Sequence, residues 1–473
     1  MKIVFITPTT ALKSLPIYRS FGKVYGQPNS ITGPLILGGI LKRAGHRVEV
    51  YEELNGSVPL DRLMEDTDVF SFYIMASNAP RAYKMAQKIR KNSNARIIMG
   101  GIHADAMPEE ALKYADQVMT GEGEQVILDV VEGRITDRIV RGIPYDDLDK
   151  VPFPDYSILR TPCVSANVLS TRGCPYRCTF CTTSRMFEPY RQRSVDNVID
   201  ELHMYKTLGF KYMNFEDDNF TADKERAKEI CRRMIEEGLV FKETFFFGRT
   251  DMAEDEELLE LLSAAHLTRV LIGIESLNQN ALDSVNKGQS IDDIKRAGEA
   301  CARHGIRVIA SIVLGLDEDN KEDIRRSVDF AKSINAYQLQ PAILTPYPGT
   351  PVFEEMQRDD RFIDQEWTKF DMMNVTFQPK NMSPWDLQEE FYNAAKHFYD
   401  FKSVPTIRKL FGREYGGRRF GLALCSRLGV AAAHVASHIN VKGNTYYKVR
   451  HTKWKYADDH EEKVPAGSLP AVT

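Results

Sequence analysis

The chain has 473 residues, 43% hydrophobic and 27% charged, a globular composition that argues against disorder and, at roughly 150 residues per domain, gives about three units. Its net charge of −4, from 62 basic and 66 acidic residues, exerts no global pull toward nucleic acid, so no nucleic-acid partner is expected. The opening MKIVFITPTT is too short in apolar residues for a secretory or membrane segment, and seven cysteines in so long a chain do not read as a disulfide framework; a cytoplasmic location is expected.

The first 135 residues alternate short β-rich runs at 2–7, 47–52, 68–74, 95–101 and 116–121 with amphipathic stretches at 35–45, 79–92, 108–114 and 123–132. That alternation predicts a doubly wound parallel sheet, an α/β domain. Such sheets bind ligands beyond the carboxyl ends of their strands. There the sequence places Ser77-Asn78, Gly100-Gly101-Ile102-His103 and Gly121-Glu122-Gly123-Glu124. Either these turns approach a flat or bulky ligand or they are simply tight connections. Residues 8–32, with three prolines, form a loop long enough to close over a ligand.

Residues 136–162 carry the composition of a linker. Six further βα units follow over 163–350, with strands expected at 164–171, 210–216, 243–249, 268–274, 306–314 and 337–343. Helices fit 195–208, 222–237, 254–264, 291–304 and 319–334. This series fits a partial (β/α)6 barrel with its chemistry on the loops after the strands. The region 351–457 is mostly helical, with an amphipathic helix at 385–402. Between 408 and 457, eleven Arg and Lys face a single acidic residue, Glu414, a local excess of +10. The apolar run 420–434 lies within it, interrupted by Arg427. The region is either a helix packed on the barrel with a solvated basic face, a surface for an anionic membrane, or a site for an acidic partner or RNA. Residues 458–473 read as a mobile tail.

Three cysteines, Cys174, Cys178 and Cys181, form C-x3-C-x2-C directly after the first barrel strand. Zinc would need a fourth Cys or His for a closed site. A [4Fe–4S] cluster on three thiolates leaves one iron open to chelate a small molecule. Cys231 and Cys301 fall in helical patterns and are expected to be buried small hydrophobes.

The segment STRGCPYRCTFC resembles the cluster loop of the radical S-adenosylmethionine (SAM) superfamily, including Phe180 before the last cysteine. The N-terminal domain, with its GGIHADAMPEE and GEGE turns, is similar to the cobalamin-binding domain found upstream of such barrels. The resemblance implies a [4Fe–4S] cluster on Cys174, Cys178 and Cys181 that cleaves SAM reductively to a 5′-deoxyadenosyl radical. It also implies an external electron donor of the flavodoxin or ferredoxin type. By the same resemblance, Asp217 and Asp218 in FEDDNF would receive the SAM ammonium, and Arg249 its carboxylate. Glu275 and Ser276 in GIES would meet the ribose or methionine end, and Leu314 the adenine side. The segment 347–351 is either a rigid turn or a substrate contact. Ser77, Asn78, Gly100, Gly101, His103, Gly121 and Glu122 would contact cobalamin. No D-x-H-x-x-G occurs in the chain, which implies cobalamin without a protein histidine ligand, or a domain that has lost it. C-methylation of an unactivated carbon in a small, apolar molecule, such as an isoprenoid lipid or tetrapyrrole, is the leading expectation. Ring formation or rearrangement by a radical SAM enzyme with a vestigial or substrate-binding N-terminal domain is the second, and a non-catalytic cobalamin or iron–sulfur sensor the third.

Overall fold

Parallel strands need a crossover of a dozen or more residues between them, usually a helix, and this chain supplies one between most successive strands. The computed structural model describes residues 1–10, 29–439 and 444–457. In it β1 (Lys2–Thr7), β2 (Arg47–Glu52), β3 (Val69–Tyr73), β4 (Arg96–Gly100), β5 (Gln117–Thr120) and β6 (Ile139–Arg141) form one parallel sheet in the order β2-β1-β3-β4-β5-β6. Successive side chains of β1 point to opposite faces. Ile3 and Phe5 join one hydrophobic core, Val4 and Ile6 the other.

Strand β6 falls inside the segment expected to be a linker. Three residues with one inward side chain, Val140, are too few to show a period. The rest of that segment is also packed. Leu148 and Val151 bury against Ile36, and Arg160 N–H donates to Val50 O at 2.9 Å. Most of the 8–32 loop and the 458–473 tail lie outside the described residues.

The second sheet contains β7 (Ser165–Val168), β10 (Tyr212–Phe215), β11 (Glu243–Gly248), β12 (Arg269–Glu275), β13 (Arg307–Leu314) and β14 (Gln338–Ile343). All are parallel, in the order β14-β13-β12-β11-β10-β7, so the sheet is an open arc with β7 and β14 at its edges. Between β7 and β10, the two-residue strands β8 (Thr171–Arg172) and β9 (Arg191–Gln192) pair antiparallel around the cysteine loop. The helices starting at Val195, Lys224, Glu256, Ile291 and Lys321 begin on Ser194, Asp223, Asp255, Ser290 and Asn320. Each of these side chains accepts from a first-turn backbone N–H, a cap worth about 1 kcal/mol.

The C-terminal region covers the β14 side of the arc. Tyr399 Oη accepts from Leu339 N–H at 3.0 Å and donates to Leu339 O at 2.8 Å on that strand. The helices there are Pro351–Arg358, Pro384–Phe398, Val404–Phe411, Arg413–Ala436 and Thr445–His451. The apolar run 420–434 lies within the 24-residue helix Arg413–Ala436. Among the described residues no helix is long and apolar enough to cross a membrane.

Arg361 is fully buried. It donates to both Asp317 oxygens at 2.8 and 2.5 Å and to Gln378 O at 3.0 Å, joining this region to the loop after β13. Arg361→Ala would leave Asp317 with Lys380 at 2.7 Å as its cation partner and should cost about 1.5–3 kcal/mol in urea unfolding. The double variant Arg361→Ala/Asp317→Ala should cost less than the sum of the two singles. Strict additivity would show that the pair is not coupled.

Candidate active site between the two sheets

The carboxyl ends of both sheets open onto one cavity of about 550 Å³, within the range of small-molecule sites. From the N-terminal domain it is walled by the turns at Gly100-Gly101 and Gly121–Glu124, with Phe5, Phe72 and Met119. Asp105 braces the second turn by accepting from Gly121 N–H at 2.5 Å. The barrel contributes Glu216, Asp218, Arg172, Gly173 and the residues just after the cysteine loop, Thr183, Met186 and Phe187. Thus Gly100, Gly101, Gly121, Glu122 and Asp218 line the cavity as the sequence reading placed them.

Ser77, Asn78 and His103 do not line it. The chain turns directly from β3 into the helix Ala79–Asn92, and Asn78 serves that turn. Its side chain accepts from Met75 N–H at 2.8 Å and donates to Pro8 O at 2.9 Å. His103 is buried in a packing contact, with Nε2 3.4 Å from Glu110 and the ring edge-on to Trp367. Among the described residues no histidine lines the cavity.

Of the acidic pair after β10, only one member faces the cavity. Extended backbone alternates its side chains, so Glu216 and Asp218 share the cavity side. Asp217 is fully buried on the other. It accepts from Ser170 N–H and Oγ–H, each at 2.6 Å, and from Thr171 N–H at 2.8 Å. Asp217 is therefore a clamp on the strand that leads into the cysteine loop, not an acceptor for an ammonium. Burial pushes Glu216 up to about 7, reinforced by the charge of Asp217, and burial pushes Asp218 up to about 6. An ammonium placed against either would favour its charged form.

The cysteine loop is framed by a glycine on one side and a cation pair on the other. Gly173 has φ +82°, and a Cβ there would sit 2.2 Å from Phe187 O, so no side chain fits. Thr179 N–H donates to Val285 O at 3.1 Å, tying the loop to the segment after β12. Burial raises the thiol pKa of Cys178, while the charges of Lys287 and Arg249 pull it down. Arg249 lies 3.7 Å from the Tyr176 ring centroid and donates to Gly288 O at 3.3 Å. Tyr176 Oη in turn donates to Asp251 at 3.0 Å. Arg249 thereby holds two loops together, with part of its guanidinium left beside the cysteines.

Glu275 pairs with Lys287 at 2.6 Å, both nearly buried. A Cβ at Gly273 would fall 2.2 Å from Glu275 Oε1 and 2.3 Å from Lys287 Nζ, so the pair requires glycine there. Ser276 is fully buried and donates to Asp319 at 2.8 Å. Leu314 is buried in the barrel core, against which Phe180 also packs. Neither Ser276, Leu314 nor Phe180 lines the cavity. Lys287 carries no motif and its importance shows only in three dimensions. Glu216 could have been found by extending the strand alternation two residues before Asp218.

The donor chemistry of the cysteine loop suits the cluster the resemblance implies, while among the described residues the three thiols are not gathered as a ligand set and do not line the cavity. Three free thiols share one loop, while Cys231 and Cys301 are buried in the barrel core and Cys163 and Cys425 lie on other elements. Cations beside Cys178 favour the thiolate that a cluster needs. The opposite wall presents glycine backbone and apolar side chains, with no described atom within 4 Å of a Cβ built at Gly33, and can receive the face of a macrocycle.

Two family models match the chain: the B12 binding domain over residues 24–131 and the Radical SAM superfamily over residues 168–331. An uncharacterized methyltransferase of Pyrococcus horikoshii is 27% identical, over 87% of this chain and 95% of its own length. The bacteriochlorophyllide d C-12(1)-methyltransferase of Chlorobaculum tepidum is 26% identical over 76% of this chain and 80% of its own. The anaerobic magnesium-protoporphyrin IX monomethyl ester cyclase of Rubrivivax gelatinosus is 28% identical over 80% and 76%. In fold, the chain is similar to the radical SAM methyltransferase TsrM of Kitasatospora setae with cobalamin and a [4Fe-4S] cluster bound. That match has a TM-score of 0.67 at 15% identity, covering 91% of this chain and 99% of that one.

Replacing Cys174, Cys178 or Cys181 with Ala should remove the cluster absorbance and iron from anaerobically reconstituted protein while leaving far-UV circular dichroism unchanged. A full iron complement in Cys178→Ala would contradict the ligand assignment. Glu216 offers a pH test on cofactor-free protein. Its pKa is raised from 4.5 to about 7, so the stability linked to its neutral form is present below 4.5 and is lost as pH rises through 7. Glu216→Gln should gain in melting temperature over wild type across that window. A difference that stays constant with pH would show that the carboxylate is solvated.

Proposed function

Since this chain is a radical SAM enzyme carrying an N-terminal B12-binding domain, we propose that it transfers a methyl group to an unactivated carbon of a small, largely apolar molecule. The observation that carries this reading is the single cavity between the sheets, which has the glycine turns on one wall and Gly173 of the cysteine loop on the other. When bound, the [4Fe–4S] cluster and SAM supply a hydrogen-abstracting radical and cobalamin supplies the methyl group.

The protein's part is position, charge and exclusion of water. Asp217 fixes the strand entering the cysteine loop, and Arg249 joins that loop to 287–288. Lys287 and Arg249 offset the cost of thiolate charge at Cys178. Asp218 and Glu216 offer carboxylates to the ammonium of SAM, a charge-assisted contact. Phe5, Phe72, Met119 and Phe247 give the cavity its apolar surface, which suits an apolar substrate. The turns at Gly100-Gly101 and Gly121–Glu124 would hold cobalamin against that wall. The methyltransferase names of relatives that span three quarters or more of this chain support this reading. Ring formation is a second reading, favoured by the cyclases of similar identity.

The test is anaerobic reconstitution with iron, sulfide and cobalamin, followed by turnover of methyl-labelled SAM over host lipid and pigment extracts. Methyl transfer predicts corrin absorbance in the purified protein and a labelled product heavier by one methylene. SAM cleavage with no label in any product would favour ring formation, and absence of corrin after cobalamin supply would overturn the methylation reading.

A further inference from the structure

The helix Arg413–Ala436 has two apolar sides. Leu422 and Ala423 are buried, as is Arg419, which donates to Tyr337 O at 3.2 Å and Phe398 O at 2.8 Å. Roughly opposite, Phe420, Leu424, Leu428 and Val435 are 46–62% exposed. At about 100° per residue these four fall within an arc of about 80°. An amphipathic helix on a protein surface shows one apolar face; the second face here stays largely exposed, with Phe401 against its Phe420 end.

Cations gather at the N-terminal end of this row. Gly416 lies one turn before Phe420, and Arg408 packs so closely over it that a Cβ at 416 would sit 2.7 Å from Arg408 Cβ. Phe401, next to Lys402, touches the Phe420 ring at 5.3 Å between centroids. Lys402, Arg408, Lys409 and Arg413 are all exposed, and none makes an ion pair among the described residues.

We infer that this face rests on an anionic membrane surface. The row gives aliphatic and aromatic depth, the four cations meet phosphate headgroups, and the two together match an interfacial helix. A second copy packed through the same segment could cover the apolar row but would meet the cations with one carboxylate, Glu414. The inference stands apart from the reaction proposed above.

Full-length protein is floated with vesicles of phosphatidylcholine alone or mixed with phosphatidylglycerol, at low and high salt. Wild type should float with the anionic vesicles at low salt, less at high salt, and poorly with the neutral ones. Leu424→Glu/Leu428→Glu changes only exposed positions, and Lys402→Gln/Arg408→Gln/Lys409→Gln/Arg413→Gln removes only unpaired charge. Each should lower the bound fraction about tenfold or more, with circular dichroism and reconstituted iron content unchanged. Wild type that stays at the bottom with anionic vesicles overturns the inference, as does a leucine variant that floats like wild type. So does a vesicle-free dimer, seen by light scattering, that the leucine variant converts to monomer.

Discussion

Two arginines directly opposite each other on a two-strand ribbon should repel. Arg172 of β8 and Arg191 of β9 are such a pair, and what reconciles them comes from the other domain. Glu122 binds both guanidiniums and Glu124 binds Arg172, all four side chains no more than 10% exposed. A buried ion cluster of this kind adds little net stability, yet losing one partner is costly, so it acts chiefly on register. Its register is that of the site: Glu122 and Glu124 belong to the glycine turn on one wall of the cavity, and Arg172 precedes Cys174 by two residues. The ribbon that carries the cysteine loop is therefore electrostatically satisfied only when the N-terminal domain is docked, and the distance across the cavity is set by the same contacts.

Around that constraint the site is organised by side chains that hold other groups in place. Asp217 takes three hydrogen bonds from the strand entering the loop, and Arg249 stacks on Tyr176 while gripping the 287–288 backbone. Glu275 holds Lys287 near Cys178. Reacting groups gain most when they are positioned beforehand, and here the positioning is carried by charged side chains that are held in turn by named partners.

Most strands and helices of both sheets were legible because they are short β-rich runs or amphipathic stretches, the main barrel helices also opening on a capping residue. The cysteine triplet was legible from spacing alone. Strand β6 was hidden because one inward valine makes no pattern. The helix Arg413–Ala436 was expected as helix but without bounds, since Gly416, Gly417, Gly421 and Gly429 weaken the helical signal and apolar residues on two sides erase the contrast between faces. Within the site, Asp217 and Asp218 were indistinguishable until the strand end fixed which one faced inward. Leu314 and His103 were assigned by motif to ligands, but packing claimed both. Lys287 lies in a loop between helices and reaches Glu275 only through the fold.

The hydroxyl of Tyr399 meets both backbone groups of Leu339 on the last strand of the arc. A closed barrel has no free strand edge, whereas an open arc leaves one, and an uncovered edge invites pairing with another chain. The C-terminal region therefore guards against aggregation as well as completing the core. A chain cut after β14 would expose that edge together with the apolar surface now under Leu387 and Phe391, and would tend to add strands from its neighbours. The barrel of this protein is thus not a separable catalytic module, and evolution could exchange its C-terminal region only for another element that caps the same strand.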